Sequence, residues 1–343
     1  MPLADATQTE PAKGRPADKP TRAHHGAVRV VAPARLHLGF LDLNGSLGRL
    51  FGSIGLAIDT PRTELVLKRA RAFKGEGPDH HRAIDVLRRF AEVFSLDTAY
   101  DVKITSAIPA HAGLGSGTQL ALATGAALIE LEGLTYSPAR LGEIVDRGAR
   151  SAIGMAAFEQ GGFIVDGGRG AIDRAPPILV RTDFPEAWRA LLVMDARRAG
   201  VHGEDEAKAF AALPPLPDAA AAIICRLVLM QLVPGLMEAD IEAYGRALTD
   251  IQAIVGGHFA AAQGGSPWTS PAVGRVIETL RVGGAYGIGQ SSWGPTGFAF
   301  APSKEIADRL YDSSIELARA EGLEILIAAG RNRGASIERI ANT

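Results

Sequence analysis

Residues 108–131 read Ile108-Pro109-Ala110-His111-Ala112-Gly113-Leu114-Gly115-Ser116-Gly117-Thr118-Gln119, followed from Leu120 to Leu131 by LALATGAALIEL. The reading of this stretch decides the fold. A glycine-rich loop, Gly113-Leu114-Gly115-Ser116-Gly117-Thr118, runs directly into a helical period in which Leu120, Thr124, Ala127, Leu128 and Leu131 share one face. Ser116 or Thr118 is expected to cap the first turn, because a short hydroxyl satisfies an orphan backbone N–H there. Glycines let a backbone approach a ligand closely, and a helix N-terminus carries free N–H groups with a partial positive charge. Together they form an anion site, most naturally one for phosphate. A tight turn before an ordinary core helix fits the same residues, so the rest of the chain has to decide.

The chain has 343 residues, enough for two domains with substantial cores. Hydrophobic residues make up 47% and charged ones 22%, which is a globular rather than a disordered composition. A formal net charge of −2 gives no general attraction to nucleic acid or to an acidic membrane surface. Cys225 is the single cysteine, set among Ile223, Ile224, Leu227 and Val228. That excludes disulfides within the chain and fits a reducing cytoplasm. The richest apolar run, 219–237, is interrupted by Arg226, Gln231 and Pro234, so no membrane span is expected.

Residues 1–26 hold four prolines and no apolar period, the pattern of a disordered tail. Order is expected from Val28, where a buried strand leads into Arg35-Leu36-His37, placing Arg35 and His37 on one strand face. Such a pair suits a cleft wall, and a solvated sheet face equally. Asp42-Leu43-Asn44-Gly45 closes that strand with a turn. Strands are expected at 54–58, 64–68 and 100–106, and helices at 80–94 and 138–150. The adjacent His80 and His81 are expected to point apart. A glycine-dense segment follows at 150–168. In the second half, a strand at 188–195 precedes a loop carrying His202 and Glu204. Helices are expected at 218–233, 240–256, 271–281 and 303–320, with strands flanking a third glycine-rich turn at 287–297 and closing the chain at 324–329 and 335–340. Strands and helices are grouped rather than strictly alternating, which argues α+β. The domains are read as 27–182 and 183–343.

The glycine loop lacks the Lys-Ser/Thr pair of a P-loop, and Thr118 stands where a dinucleotide fingerprint needs its third glycine. The residues 109–118 do resemble the central phosphate-holding motif of the GHMP kinase superfamily, and 284–296 its glycine-rich C-terminal motif. Within that superfamily the chain resembles the β-ribofuranosylaminobenzene 5′-phosphate synthase family. The resemblance rests on seven stretches in order: 34–38, 42–45, 113–119, 150–154 with Phe158 and 161–163, 202–204, 257–263 and 290–295.

The resemblance implies two α+β domains, a ribosomal-protein-S5-like one and a ferredoxin-like one, with the active cleft between them. It implies that phosphoribosyl pyrophosphate and a para-substituted benzoate give a C-riboside 5′-phosphate, pyrophosphate and carbon dioxide. It also implies magnesium, a homodimer and an early step towards methanopterin-type cofactors. Arg35 or Arg150 would orient the carboxylate, and His37 and His202 would contact ribose, phosphate or the ring substituent. Asp42 or Glu204 would hold magnesium. Asn44, Gln119, Gln263, Gln290, Ser291, Ser292 and Trp293 complete the candidate substrate site. One departure separates this chain from the superfamily's ATP-dependent small-molecule kinases, the alternative reading. Those kinases carry Ser-Gly-x-Asp after the second helix, whereas this chain has Ser151-Ala152-Ile153-Gly154 and no carboxylate before Glu159. A missing base worth roughly 10²–10⁴ in rate suits chemistry that deprotonates no alcohol.

Overall fold

A computed structural model describes residues 26–135, 138–145, 151–170, 175–200 and 203–341. The first sheet is built on β1 (Ala27–Asp42) and β2 (Phe51–Ala70), a long antiparallel ladder. The short β3 (Lys74–Glu76) and α1 (His80–Val93) come next, then β4 (Ala99–Ser106) and α2 (Ser116–Glu132). α3 (Pro138–Ile144), α4 (Ile153–Glu159), β5 (Phe163–Asp166) and β6 (Ile178–Thr182) complete this half. The second half contains β7 (Arg189–Met194), α5 (Gly203–Ala212), α6 (Asp218–Leu227), α7 (Val233–Met237) and α8 (Ile241–Phe259). It ends with α9 (Pro271–Val282), β8 (Tyr286–Gln290), β9 (Thr296–Ala301), α10 (Lys304–Ala320), β10 (Glu324–Ala329) and β11 (Ser336–Ile340).

Strand order is β11-β1-β2-β4-β3 in the first sheet, with β5 on β2 and β6 on β5, and β10-β7-β9-β8 in the second. Grouped strands and helices therefore do give an α+β protein. The last strand departs from the simple split at 182/183. β11 returns to the first sheet and pairs antiparallel with β1, Ile337 opposite Val30. The two strands expected at 54–58 and 64–68 are one strand. Asp59, Thr60 and Pro61 form an irregularity between Ile58, opposite Ala34, and Arg62, opposite Pro33. Pro61 has no N–H to offer a ladder, so it sits where the ladder skips.

α2 is buried more completely than a one-faced stripe implies. Twelve of its 17 residues are buried, because the helix lies on β1 and β2 and is covered by α1 and α4. A helix apolar on all sides belongs in a core. Gly125 permits the cover: a Cβ there would stand 2.5 Å from Phe90 Cζ and 2.8 Å from Leu141 Cδ1.

The apolar run at Asp218–Met237 is long and apolar enough, by composition alone, to cross a membrane. Here it forms α6 and α7, joined by one wide turn at Val228–Leu232, with Ala221, Ile224, Val228, Leu232 and Leu236 in the core. His80 and His81 differ from expectation: their rings lie 3.8 Å apart, and the described residues contain no cluster of three or more metal-ligating side chains.

Candidate active site

The glycine loop is shaped by left-handed backbone. Gly113 has φ +81° and Gly115 φ +80°, a region that costs a residue with a Cβ. Gly115, not Ser116 or Thr118, is the N-cap of α2, and no side chain caps the helix. The first intrahelical bond runs from the Gln119 N–H to the Gly115 carbonyl at 3.0 Å. The N–H groups of Ser116, Gly117 and Thr118 have no acceptor among the described residues. The expected cap would have consumed what an anion needs; its absence leaves the cradle open.

Two neighbours hold this loop. The Arg35 N–H donates to the Leu114 carbonyl at 3.1 Å, and its guanidinium donates to the Gly113 carbonyl at 2.8 Å. A Cβ on Gly115 would lie 3.0 Å from Arg35 Cγ, so the arginine stem runs along the loop. From the other side comes the β8–β9 turn. The Ser291 hydroxyl donates to the Gly113 carbonyl at 2.8 Å and accepts the His37 backbone N–H at 3.0 Å. A Cβ on Gly294 would fall 2.4 Å from the Ala112 carbonyl oxygen. The first and third glycine-rich segments are thus glycine-rich partly because they press on each other.

Beyond His37 opens a pocket of about 180 Å³ between β1, α8 and β8. Its apolar walls include Phe40, Phe259 and Trp268, and its polar lining includes His37, Thr249, Gln252, Gln263, Gln290 and Ser292. The His37 ring packs on Phe40 at 4.4 Å. A glutamine array lines one side. Gln252 donates to the Leu38 carbonyl at 2.7 Å and accepts the Gln290 N–H at 2.8 Å. Gln290 accepts the Thr269 N–H at 2.7 Å and donates to Gln263 Oε1 and the Ser292 carbonyl, both at 3.0 Å. Backbone groups at the ends of this array fix each amide's orientation, since backbone donors and acceptors cannot exchange roles. Thr269 is anchored in turn by its neighbour Ser270, whose hydroxyl donates to Asp195 at 2.8 Å. The Arg197 guanidinium grips the same carboxylate, holds Asp195 below the usual carboxylate range, and Ser270 adds to the effect.

The structure therefore gathers the six loop residues with Arg35, His37, Ser291, Ser292, Gln263 and Gln290. Others go elsewhere. Trp293 is 1% exposed and stacks behind Phe259 at 4.1 Å, so the pocket's aromatic wall is Phe259 and Trp268 instead. Gln119 is fully buried and donates to the Gly154 carbonyl at 2.8 Å, fastening α4 to α2 rather than facing a substrate. Asn44 donates to the Leu216 carbonyl, tying the turn after β1 to the segment before α6. Asp42 does not fit the metal role. Its carboxylate accepts the Asn44 and Gly45 N–H groups, and it stands seven residues beyond Arg35, roughly 20 Å along the strand. Arg150, His202 and the Glu204 side chain lie outside the described residues. Glu159 ends α4, six residues beyond Ile153 and about 9 Å along the helix from the end beside Thr118.

Sequence reasoning passed over Thr249, Gln252, Trp268, Thr269 and Asp166. Asp166 is fully buried and accepts from the Ser53, Ala152 and Gly168 N–H groups and the Ser151 hydroxyl. Burial pushes its carboxyl up and those four hydrogen bonds oppose the shift. It pins the segment before α4. Trp268 and Thr269 follow Ser266-Pro267, a turn signal that could have drawn attention to them.

The family models for the N-terminal and C-terminal domains of GHMP kinases match residues 80–162 and 232–314, so fold and anion loop together are those of a GHMP-type protein. Homoserine kinase from Cytophaga hutchinsonii superposes with a TM-score of 0.64 at 18% identity, covering 93% of this chain and 99% of its own. Curated relatives reach further. A β-ribofuranosylphenol 5′-phosphate synthase from Methanothermobacter thermautotrophicus is 32% identical over 89% of this chain and 97% of its own length. One of the same name from Archaeoglobus fulgidus is 33% identical over 91% and 99%. The chain belongs to the β-ribofuranosylphenol 5′-phosphate synthase family. The names of these relatives carry a phenol, whereas the sequence resemblance was to a family named for an aminobenzene and implied only a para-substituted benzoate.

Proposed function

We propose that this enzyme condenses phosphoribosyl pyrophosphate with a para-substituted benzoate, forming a C-riboside 5′-phosphate and releasing pyrophosphate and carbon dioxide. The observation that carries the reading is an uncapped anion loop joined through the Ser291 hydroxyl to His37, which lines a pocket sized for a single ring. A cavity of about 150 Å³ holds a benzene ring, and this one has about 180 Å³.

Pyrophosphate lies on the Ser116, Gly117 and Thr118 amides, where the α2 dipole and the Arg35 guanidinium favour negative charge as the bond to ribose C1 breaks. The ring enters the pocket with its carboxylate-bearing carbon towards the loop, and that carbon attacks C1. The carbon–carboxylate bond then breaks, its electron pair returns to the ring, and carbon dioxide leaves. Phe259 and Trp268 hold the ring plane and exclude water from the reacting cation. Magnesium belongs to this reading as the companion of the pyrophosphate. The loop residues Gly113–Thr118 themselves offer it no carboxylate. The proposed setting is cytoplasmic, the assembly a homodimer and the product a precursor of methanopterin-type cofactors.

Purified protein with magnesium, phosphoribosyl pyrophosphate and 4-hydroxybenzoate or 4-aminobenzoate should release pyrophosphate and carbon dioxide together. Neither product with either acid, or ATP-dependent phosphorylation of a small alcohol instead, would overturn the reading.

A further inference from the structure

Asp166 ends β5, and its fully buried carboxylate meets four neutral donors and no paired cation among the described residues. No step of the proposed reaction uses it. Its two oxygens face different segments. Oδ1 accepts the Ser53 N–H at 3.0 Å and the Gly168 N–H at 2.9 Å, where β5 runs beside β2. Oδ2 accepts the Ala152 N–H at 2.9 Å and the Ser151 hydroxyl at 3.1 Å, where the chain enters α4.

α4 bears in turn on the phosphate loop. Ala152 is its N-cap, and Gly154 lies two residues on. A Cβ on Gly154 would stand 3.1 Å from Thr118 Cγ2, so the first turn of α4 rests on the Thr118 side chain. The Gly154 carbonyl also accepts the Gln119 side-chain amide at 2.8 Å. Thr118 carries the last of the three open N–H groups, and the Gln119 N–H makes the first closed bond of α2. A displacement of the α4 entry therefore has two contacts through which to reach the cradle.

We propose that Asp166 is a positioning residue for the phosphate cradle, Oδ1 anchoring it to the sheet and Oδ2 setting α4 against Thr118. This rests on the phosphate reading of the loop given above. Donors serve a developing charge only when held close to their productive geometry, and a carboxylate fixed by four bonds is a rigid stop for α4. Asp166→Asn separates the two duties, because an amide has one oxygen and an NH2 group. Turned towards Ser53 and Gly168, the NH2 would oppose two backbone N–H groups. Turned towards Ala152 it opposes one, and the Ser151 hydroxyl is able to rotate and accept from it. The second orientation wins, so the sheet keeps its anchor and the α4 entry loses its own.

The test measures dissociation constants for magnesium pyrophosphate and for 4-hydroxybenzoate, with melting temperatures. The proteins are wild type, Asp166→Asn, Ser151→Ala, Gly154→Ala and the double variant Asp166→Asn with Gly154→Ala. Asp166→Asn and Gly154→Ala should each weaken pyrophosphate at least about tenfold and Ser151→Ala about threefold, with 4-hydroxybenzoate binding unchanged. The double variant should lose clearly less than the product of the two single effects, because both act through Thr118. Unchanged pyrophosphate binding in Asp166→Asn, equal weakening of both ligands, or strictly multiplicative effects overturn the assignment. Where Asp166→Asn does not fold, Ser151→Ala and Gly154→Ala decide it by the same split between the two ligands. Pyrophosphate constants are read without turnover. A wild type that binds pyrophosphate and releases no carbon dioxide therefore defeats the reaction and leaves Asp166 in place, whereas one that binds no pyrophosphate defeats both.

Discussion

The Ser291 hydroxyl meets the Gly113 carbonyl at 2.8 Å, across 178 residues of sequence, and so locks a turn of the second half onto the phosphate loop of the first. The same oxygen accepts the His37 N–H, so one hydroxyl joins loop, first strand and pocket. Ser291→Ala removes both bonds in a fully buried place. Each is worth about 1 kcal/mol, and the stranded groups add to the loss. The expected outcome is a clearly lower melting temperature and a fall in kcat/KM of about tenfold or more, whereas Ser291→Thr retains a hydroxyl and loses less. Thermal melts and pyrophosphate-release kinetics check both.

Gly113 should tolerate no side chain. Gly113→Ala forces a Cβ to within 2.2 Å of the Ser291 carbonyl oxygen in a left-handed backbone. The loop must shift, and turnover should fall at least a hundredfold even where circular dichroism reports a native fold. By contrast, Ser116→Trp keeps the loop's backbone and fills the space in front of its amides. It should abolish pyrophosphate release while the melting temperature stays near wild type.

Gly125→Ala probes the fold and spares the chemistry. Its Cβ would overlap Phe90 and Leu141, and overpacking of this kind costs about 1–3 kcal/mol. Denaturant midpoints should drop accordingly, with kcat of the folded enzyme unchanged.

Asp195 gives a pH signature. Its folded carboxyl is held low, first by the Arg197 hydrogen bond, so its stabilisation is present above the unfolded value of about 4 and is lost as pH falls through the folded value. Asp195→Asn should destabilise the protein at pH 7. The gap between variant and wild type should narrow as pH falls below about 4, measured by denaturant titration at each pH.

Much of this was legible in the sequence. The elements from α8 to β10 follow from hydrophobic period and turn residues, and the loop's chemistry follows from its glycines. What remained hidden depends on contacts between distant segments. Nothing near Trp293 in sequence says that Phe259 shields it from the pocket, and nothing near Gln252 says that Leu38 and Gln290 orient its amide. Gln119 looked like part of the loop, yet the approach of α4 turned it inward. Ser116 read as a cap because short hydroxyls often are, and the left-handed Gly115 took that position.

The central claim is that a ring carbon, not a ring substituent, receives the ribose. Phosphoribosyl pyrophosphate labelled with carbon-13 at C1 and 4-hydroxybenzoate labelled at its carboxyl-bearing ring carbon test it in one spectrum. A one-bond carbon–carbon coupling in a product that has lost its carboxyl group is the predicted result. A product that keeps the carboxyl, with ribose on oxygen and no such coupling, would contradict the account.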